Sequence, residues 1–205
     1  MRIAIVTFDG FNEIDSFVAA HILNRMCSHG WQAQITAPAA TLTSMNGVVI
    51  HAQQPLEFVR DADAVLIGSG RRTREVIEDQ AIMSRLQLDP RRQLIGSQCS
   101  GALVLARLGL LEHLPVCSDA GTRPVLEQAG IEVLNQPFFA TGNIASAGGC
   151  LASQYLACWV LWRLGGRELV EQALDYVAPV GEQAGLAARV FAVIGSAPRQ
   201  SAAAS

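Results

Sequence analysis

The chain has 205 residues, half of them hydrophobic, a formal net charge of −3 and five cysteines. That length and apolar share are enough to bury a core in a single domain. The charge leaves no basic surface to neutralise a phosphate backbone, so nucleic acid is not expected as a partner, and the short cluster Arg71, Arg72 and Arg74 does not change this.

The cysteines (Cys27, Cys99, Cys117, Cys150 and Cys158) are odd in number and form no CxxC or histidine-spaced pairs, which argues against a disulfide framework and against a structural zinc site. They suit a reducing cytoplasm. Acidic residues follow Met1 too closely for a signal peptide, and no apolar run reaches the ~18 residues that cross a bilayer. A soluble cytoplasmic protein without membrane contact is expected.

In chain order, the β-branched run 2–8 reads as a buried strand and 12–30 as a helix closed by Gly30, a first βα unit. A second strand is expected at 32–38, then a hairpin over 41–52 turning on Asn46-Gly47. The stretch 62–70 is a core strand ending in glycines, followed by one amphipathic helix over 73–88. Strand 93–97 runs into the helix "SGALVLARLGLL". A short strand at 115–118, a helix at 121–130 capped by Gly130, a strand "IEVLN" and a hairpin at Gly142-Asn143 follow. A long apolar helix from Cys150 to about Leu164 and another over 167–176 precede a frayed tail at 196–205. Repeated strand and helix units imply an α/β protein with a mostly parallel sheet, helices on both faces, and ligands at the carboxyl ends of the strands. No repeat or linker divides residues 1–195, which read as one domain.

At that edge Cys99 stands where "QLIGS" hands over to a helix. Small neighbours Ser97, Ser100 and Gly101 permit the sharp turn of a nucleophile elbow. Amides and dipole at the helix start favour a thiolate there, so a lowered thiol pKa is expected. Cys27, Cys150 and Cys158 read instead as small apolar packing residues. The glycines of "LIGSG" (66–70) offer amides for an oxyanion beside Cys99, although such a segment is commonly only a turn. The first βα segment supplies Asp9, Glu13 and Asp15, acids that ordinarily serve a helix N-terminus.

With "RIAIVTFDGFNEIDSF", "LIGSG", "SQCSGALVLARLGLL", "SAGGCLASQYLACWV" and "YVAP" in this order, the chain resembles the ThiJ/PfpI superfamily, related to class I glutamine amidotransferases. Within it the chain is most similar to the isonitrile hydratase branch. The resemblance implies a flavodoxin-like three-layer sandwich, a homodimer, a reactive Cys99, and Asp15 as the acid touching its sulfur. Two like charges at contact repel, so such a pair titrates as a unit and shares a proton. The sequence departs from the pattern in carrying Asp119 where many relatives have a histidine, and Gly68-Ser69-Gly70 where many have Pro-Gly-Gly. His21, His29, His51 and His113 read as surface or satisfied core residues, so no Cys–His dyad is legible.

Three functions stay open. One is a cysteine-dependent hydratase or hydrolase for a small electrophile, isonitrile hydratase-like, with Cys99 as nucleophile, Asp15 as acidic partner, backbone donors at Ser69, Gly70 and Ser100, and Asp119 as a possible third residue. A second is a redox or stress sensor acting through oxidation of Cys99, and the third is glyoxalase or deglycase chemistry on the same nucleophile. Cys117, near the same edge, could serve as a resolving thiol, though it reads first as a small apolar strand residue. No cofactor and no metal are expected, and the partner is a small-molecule substrate whose pocket walls come from 71–75 and 119–124. Trp159 and Trp162 on the long apolar helix suit a core, with a dimer contact as the other reading.

Overall fold

The computed structural model describes residues 1–195, so the tail expected at 196–205 lies outside the described residues. β1 (Arg2–Val6) leads into α1 (Glu13–Leu23), whose first turn is capped by the Asn12 side chain accepting from the Ile14 amide. A 3-10 segment continues to His29, and Gly30, at φ +76°, ends it in the left-handed conformation that glycine takes without a Cβ penalty. Next come β2 (Gln32–Ala37), the hairpin β3 (Thr41–Thr43) and β4 (Val49–His51), β5 (Gln54–Pro55) and β6 (Ala64–Ile67).

The single helix expected over 73–88 is instead two short ones, α2 (Thr73–Val76) and α3 (Gln80–Met83). Asp79 breaks it: its carboxylate caps α3 by accepting from the amides of Ala81 and Ile82, a job that needs a non-helical backbone at the cap.

β7 (Leu94–Gln98) is followed by α4 (Gly101–Arg107) and α5 (Arg123–Gln128). The strands expected at 115–118 and in "IEVLN" shrink to one isolated parallel bridge between Val116 and Val133 that does not join the main sheet as a strand. β8 (Phe138–Thr141) and β9 (Ile144–Ala147) form the expected second hairpin. A 3-10 turn at Cys150–Ala152 opens α6 (Ser153–Gly165), then α7 (Arg167–Val177), and then α8 (Gln183–Ile194), a helix the sequence reading overlooked. None of these helices is long and apolar enough to cross a membrane.

Among the described residues, seven strands form one sheet in the order β5-β2-β1-β6-β7-β9-β8, parallel except at the β8–β9 edge. Strand side chains alternate faces, and both faces are covered. Ile3, Ile5 and Leu66 pack with α1, α6, α7 and α8 in one core, while Ala4, Val6, Val65, Ile67 and Ile95 pack with α4, α5 and residues 56–59 in the other. This is the expected flavodoxin-like α/β sandwich. Trp159 is fully enclosed against Phe138 and Trp162 is half-buried against the same core, so the apolar helix is a core element.

Parallel pairing sets the functional edge. β7 registers with β6 and β9 (Ile67 beside Ser97, Gln98 beside Ala147), so the segments leaving these strands, 68–70, 99–101 and 148–150, emerge side by side.

Candidate active site

Cys99 leaves β7 with φ +47°, a left-handed backbone that few non-glycine residues adopt. The turn is held from several sides. The Cys99 amide donates to Ala147 O at 2.8 Å, and its carbonyl accepts from Ala102 N and from Ser118 Oγ. Gly101 must be a glycine, because a Cβ there would lie 2.5 Å from Ile67 O and 2.9 Å from Gly68 O, both rigid backbone atoms. The start of α4 can therefore sit directly on the end of β6. This is the elbow expected from the sequence.

The sulfur faces a cleft of about 520 Å³ whose wall includes Asn12, Ser69, Gly70, Thr73, Asp119 and Cys150, with Arg71 and Arg74 also lining it. The expected pocket walls, 71–75 and 119–124, do contribute. Cys99 itself is only 4% exposed, and Gln98 Nε2 reaches its Sγ at 3.4 Å while donating to Gly149 O at 2.7 Å.

Asp15, in the first turns of α1, is 3% exposed and lies beside the sulfur. Its Oδ2 accepts a very short hydrogen bond from the Ser69 hydroxyl, whereas its Oδ1 is buried without a hydrogen-bond partner. Burial pushes the Asp15 carboxyl up, and it prevails over Ser69 and the neighbouring thiols of Cys150 and Cys99, which favour the charged form.

The lowered thiol pKa expected for Cys99 is overturned. Burial first, and the Asp15 charge second, push the thiol well up, against the pull of the Gly149 amide. The helix behind it is only seven residues long, and a dipole worth ~0.3–1 kcal/mol cannot offset the desolvation of a thiolate next to a carboxylate. Lying against one another, the two groups titrate as a unit rather than as separate sites.

The other predicted residues are distributed as follows. Gly70 N donates to Ser100 Oγ at 3.3 Å, and Ser100 Oγ also meets Thr73 Oγ1 at 2.9 Å, so these groups tie the 70–73 loop to the elbow. Ser69 reaches the site through its side chain, an interaction the sequence reading did not foresee. Asp119 lines the cleft, but Oδ1 accepts from the amides of Gly121 and Thr122 and Oδ2 from the Thr122 hydroxyl. It behaves as a turn cap whose charge is felt by Cys99 and Asp15. Asp9 is bound to the Thr43 amide and Arg72, and Glu13 to Ser44 and Asn46. All four histidines are exposed and none lines the cleft.

Cys117 is fully enclosed, its amide donating to Ser146 Oγ. Cys150, read from the sequence as a packing residue, stands in the cleft instead. Its Sγ accepts from Asn12 Nδ2 at 3.1 Å, and it lies with Cys99 Sγ and an Asp15 carboxylate oxygen in a cluster whose atoms are all within 4.8 Å of one another. Two sulfurs and a carboxylate at that spacing are also a donor set that a thiophilic cation accepts.

The sequence model of the DJ-1/PfpI family matches residues 1–161 of the chain. No curated protein sequence matches it. Among solved structures, DJ-1 of Schizosaccharomyces pombe superposes with a TM-score of 0.75 at 15% identity, covering 87% of this chain and 100% of that one. Drosophila melanogaster DJ-1beta gives 0.74 at 18% identity over 86% of this chain and 96% of that one. A ThiJ/PfpI family protein from Pseudomonas syringae gives 0.73 at 19% identity over 95% and 87% respectively. At these identities the structural likeness establishes the fold.

Proposed function

The chain belongs to the DJ-1/PfpI family, and from that premise we propose that it is a cysteine-dependent hydratase or hydrolase for a small electrophile, isonitrile hydratase-like, with Cys99 as nucleophile. The observation that carries this reading is the meeting of a strained elbow cysteine and an unpartnered Asp15 oxygen at the wall of one cleft. A buried polar atom left without a partner costs free energy, and a carboxylate oxygen so left beside a thiol at a cleft is a candidate for chemistry.

In the proposed reaction the Cys99 proton moves to Asp15 as sulfur attacks the terminal carbon of an isonitrile, forming a C–S bond. Asp15 then delivers that proton to the same carbon, giving a thioimidate. Water adds to the C=N bond with Asp15 taking and returning a proton. Breaking the C–S bond releases an N-substituted formamide and restores the thiol, so the sum is one isonitrile plus one water. Developing charge would be steadied by the Gly149 amide, which already favours a thiolate, and by amides of Ser69 and Ser100, whereas the Gly70 amide is engaged by Ser100 Oγ. Asp119, held as a cap, would tune the site through its charge.

The absence of any histidine from the cleft wall favours this chemistry over glyoxalase or deglycase reactions that need a Cys–His pair. A homodimer accompanies the reading, supported by the exposed apolar side chains of Phe17, Leu151 and Tyr176, which line one shallow depression. The test is turnover of aliphatic isonitriles to formamides. Wild type should turn over, while Cys99→Ser and Asp15→Asn should lose at least ~100-fold. Conversion of 2-oxoaldehydes with no isonitrile turnover would overturn it.

A further inference from the structure

The mechanism above makes no use of Cys150, yet its sulfur lies within 4.8 Å of Cys99 Sγ and of the Asp15 carboxylate. Both sulfurs face the same cleft, so a small oxidant that reaches one reaches the pair. Cys150 is half-buried and is the first residue of a one-turn 3-10 helix that follows Gly149, at φ +87°. A disulfide needs S–S of about 2.05 Å, and a rotation at a residue so placed, at the cleft wall and after a glycine, can close the remaining gap. The two segments are already laced together: Gln98 Nε2 bonds both Cys99 Sγ and Gly149 O, and the Cys99 amide bonds Ala147 O.

We propose that Cys99 and Cys150 form a redox pair in which Cys150 resolves peroxide-oxidised Cys99 into a reversible disulfide. Hydrogen peroxide first oxidises the Cys99 sulfur by two electrons, its O–O bond breaking to give a sulfenic acid and one water. Cys150 sulfur then attacks the sulfenic sulfur. The S–S bond forms and the S–O bond breaks; the Cys150 proton passes to the departing hydroxide by way of Asp15 Oδ1, the oxygen left without a partner, and leaves as a second water. Overall, two thiols and one peroxide become one disulfide and two waters. Cys117, considered from the sequence for this task, is sealed in the core beside Ser146 and does not line the cleft.

The inference stands on the geometry of the two sulfurs and is independent of the hydratase reading, because its readout is mass rather than turnover. Reduced full-length protein is treated with several equivalents of hydrogen peroxide, enough for the two successive oxidations of a thiol to a sulfinic acid, quenched in acid and weighed intact, then mapped by non-reducing proteolysis. Wild type should become about 2 Da lighter, with a Cys99–Cys150 linked peptide that dithiothreitol removes. Cys150→Ser and Cys150→Ala should instead gain about 32 Da at Cys99, a sulfinic acid that dithiothreitol does not reverse. Cys117→Ser should behave as wild type. A sulfinic acid at Cys99 of wild type with Cys150 still free, a disulfide that disappears in Cys117→Ser, or no mass change at all would each overturn the proposal. The wild-type peptide map decides the matter even if a Cys150 variant folds poorly.

Discussion

The Ser69 hydroxyl donates to Asp15 Oδ2 across the gap between the end of β6 and the first turns of α1, and Oδ1 of the same carboxylate is left buried and unpaired. One hydroxyl and the weakly donating thiols of Cys150 and Cys99 leave the carboxyl under-solvated, which is why burial wins and its pKa is raised. Ser69 is the largest influence favouring the charged form. Ser69→Ala should therefore push Asp15 further up, and the ionisation that makes Cys99 reactive should move to higher pH. Alkylation rates of Cys99 against pH, in wild type and Ser69→Ala, check this; superimposable acid limbs would show that Ser69 does not set the Asp15 charge.

Backbone strain at the elbow gives a second expectation. A non-glycine residue in the left-handed region costs about 1–2 kcal/mol, and Cys99 occupies it at φ +47°. Cys99→Ala and Cys99→Gly both remove the sulfur, but only glycine relieves the conformation. Because glycine also gains entropy in the unfolded chain, worth ~0.5–1 kcal/mol, the net advantage of Cys99→Gly over Cys99→Ala should be up to about 1.5 kcal/mol. Urea unfolding of the two variants measures it. If Cys99→Gly were the less stable of the two, the turn would not be a source of strain.

The α/β sandwich and the elbow were legible because they depend on local patterns: apolar runs bounded by glycines, and small residues flanking Cys99. Features set by tertiary pairing were not. Cys150 is far from Cys99 in sequence, and only the register that places Gln98 beside Ala147 brings the two together. The same parallel pairing, applied to the segments leaving β7 and β9, is the signal that would have found it. In the single helix expected over 73–88, the apolar spacing outweighed Asp79, whose capping preference decided the outcome. α8 was overlooked although Leu186, Val190 and Ile194 recur every fourth residue and are all buried. The direction of the Cys99 pKa is not legible in the sequence, because a helix start is visible there while enclosure beside a carboxylate is not.

Asp15 should also make stability depend on pH. Its folded pKa is raised above the unfolded value near 3.8, so between these two values the folded state holds more protons than the unfolded chain. Stability is then fully present below the ordinary carboxylate range and is lost as pH rises through the folded value. Asp15→Asn removes this dependence while keeping an acceptor for Ser69. Chemical denaturation should show Asp15→Asn gaining on wild type from about pH 4 upward, until pH passes the raised folded value. A constant difference across that window would mean that the carboxyl is solvated in the folded protein.

Buried thiols extend the same linkage to alkaline solution. Burial pushes Cys158 up to about 12, and burial, partly opposed by Ser146, pushes Cys117 up to about 12, from an ordinary value of 9.0. In the unfolded chain these thiols lose their protons near 9, whereas in the folded protein they keep them. The stabilisation is therefore complete below about pH 9 and is lost progressively up to about pH 12. Each proton held only by the folded state costs ~1.4 kcal/mol per pH unit across that window. Cys158 lies wholly inside α6 against the core, so it should contribute this slope, with Cys117 adding in the same direction. Cys158→Ala should lower the slope of unfolding free energy against pH above about pH 9 by roughly one proton equivalent, at the expense of a small cavity that weakens the variant equally at every pH. Parallel curves for wild type and Cys158→Ala above about pH 9 would show that this thiol titrates normally and is not enclosed as described.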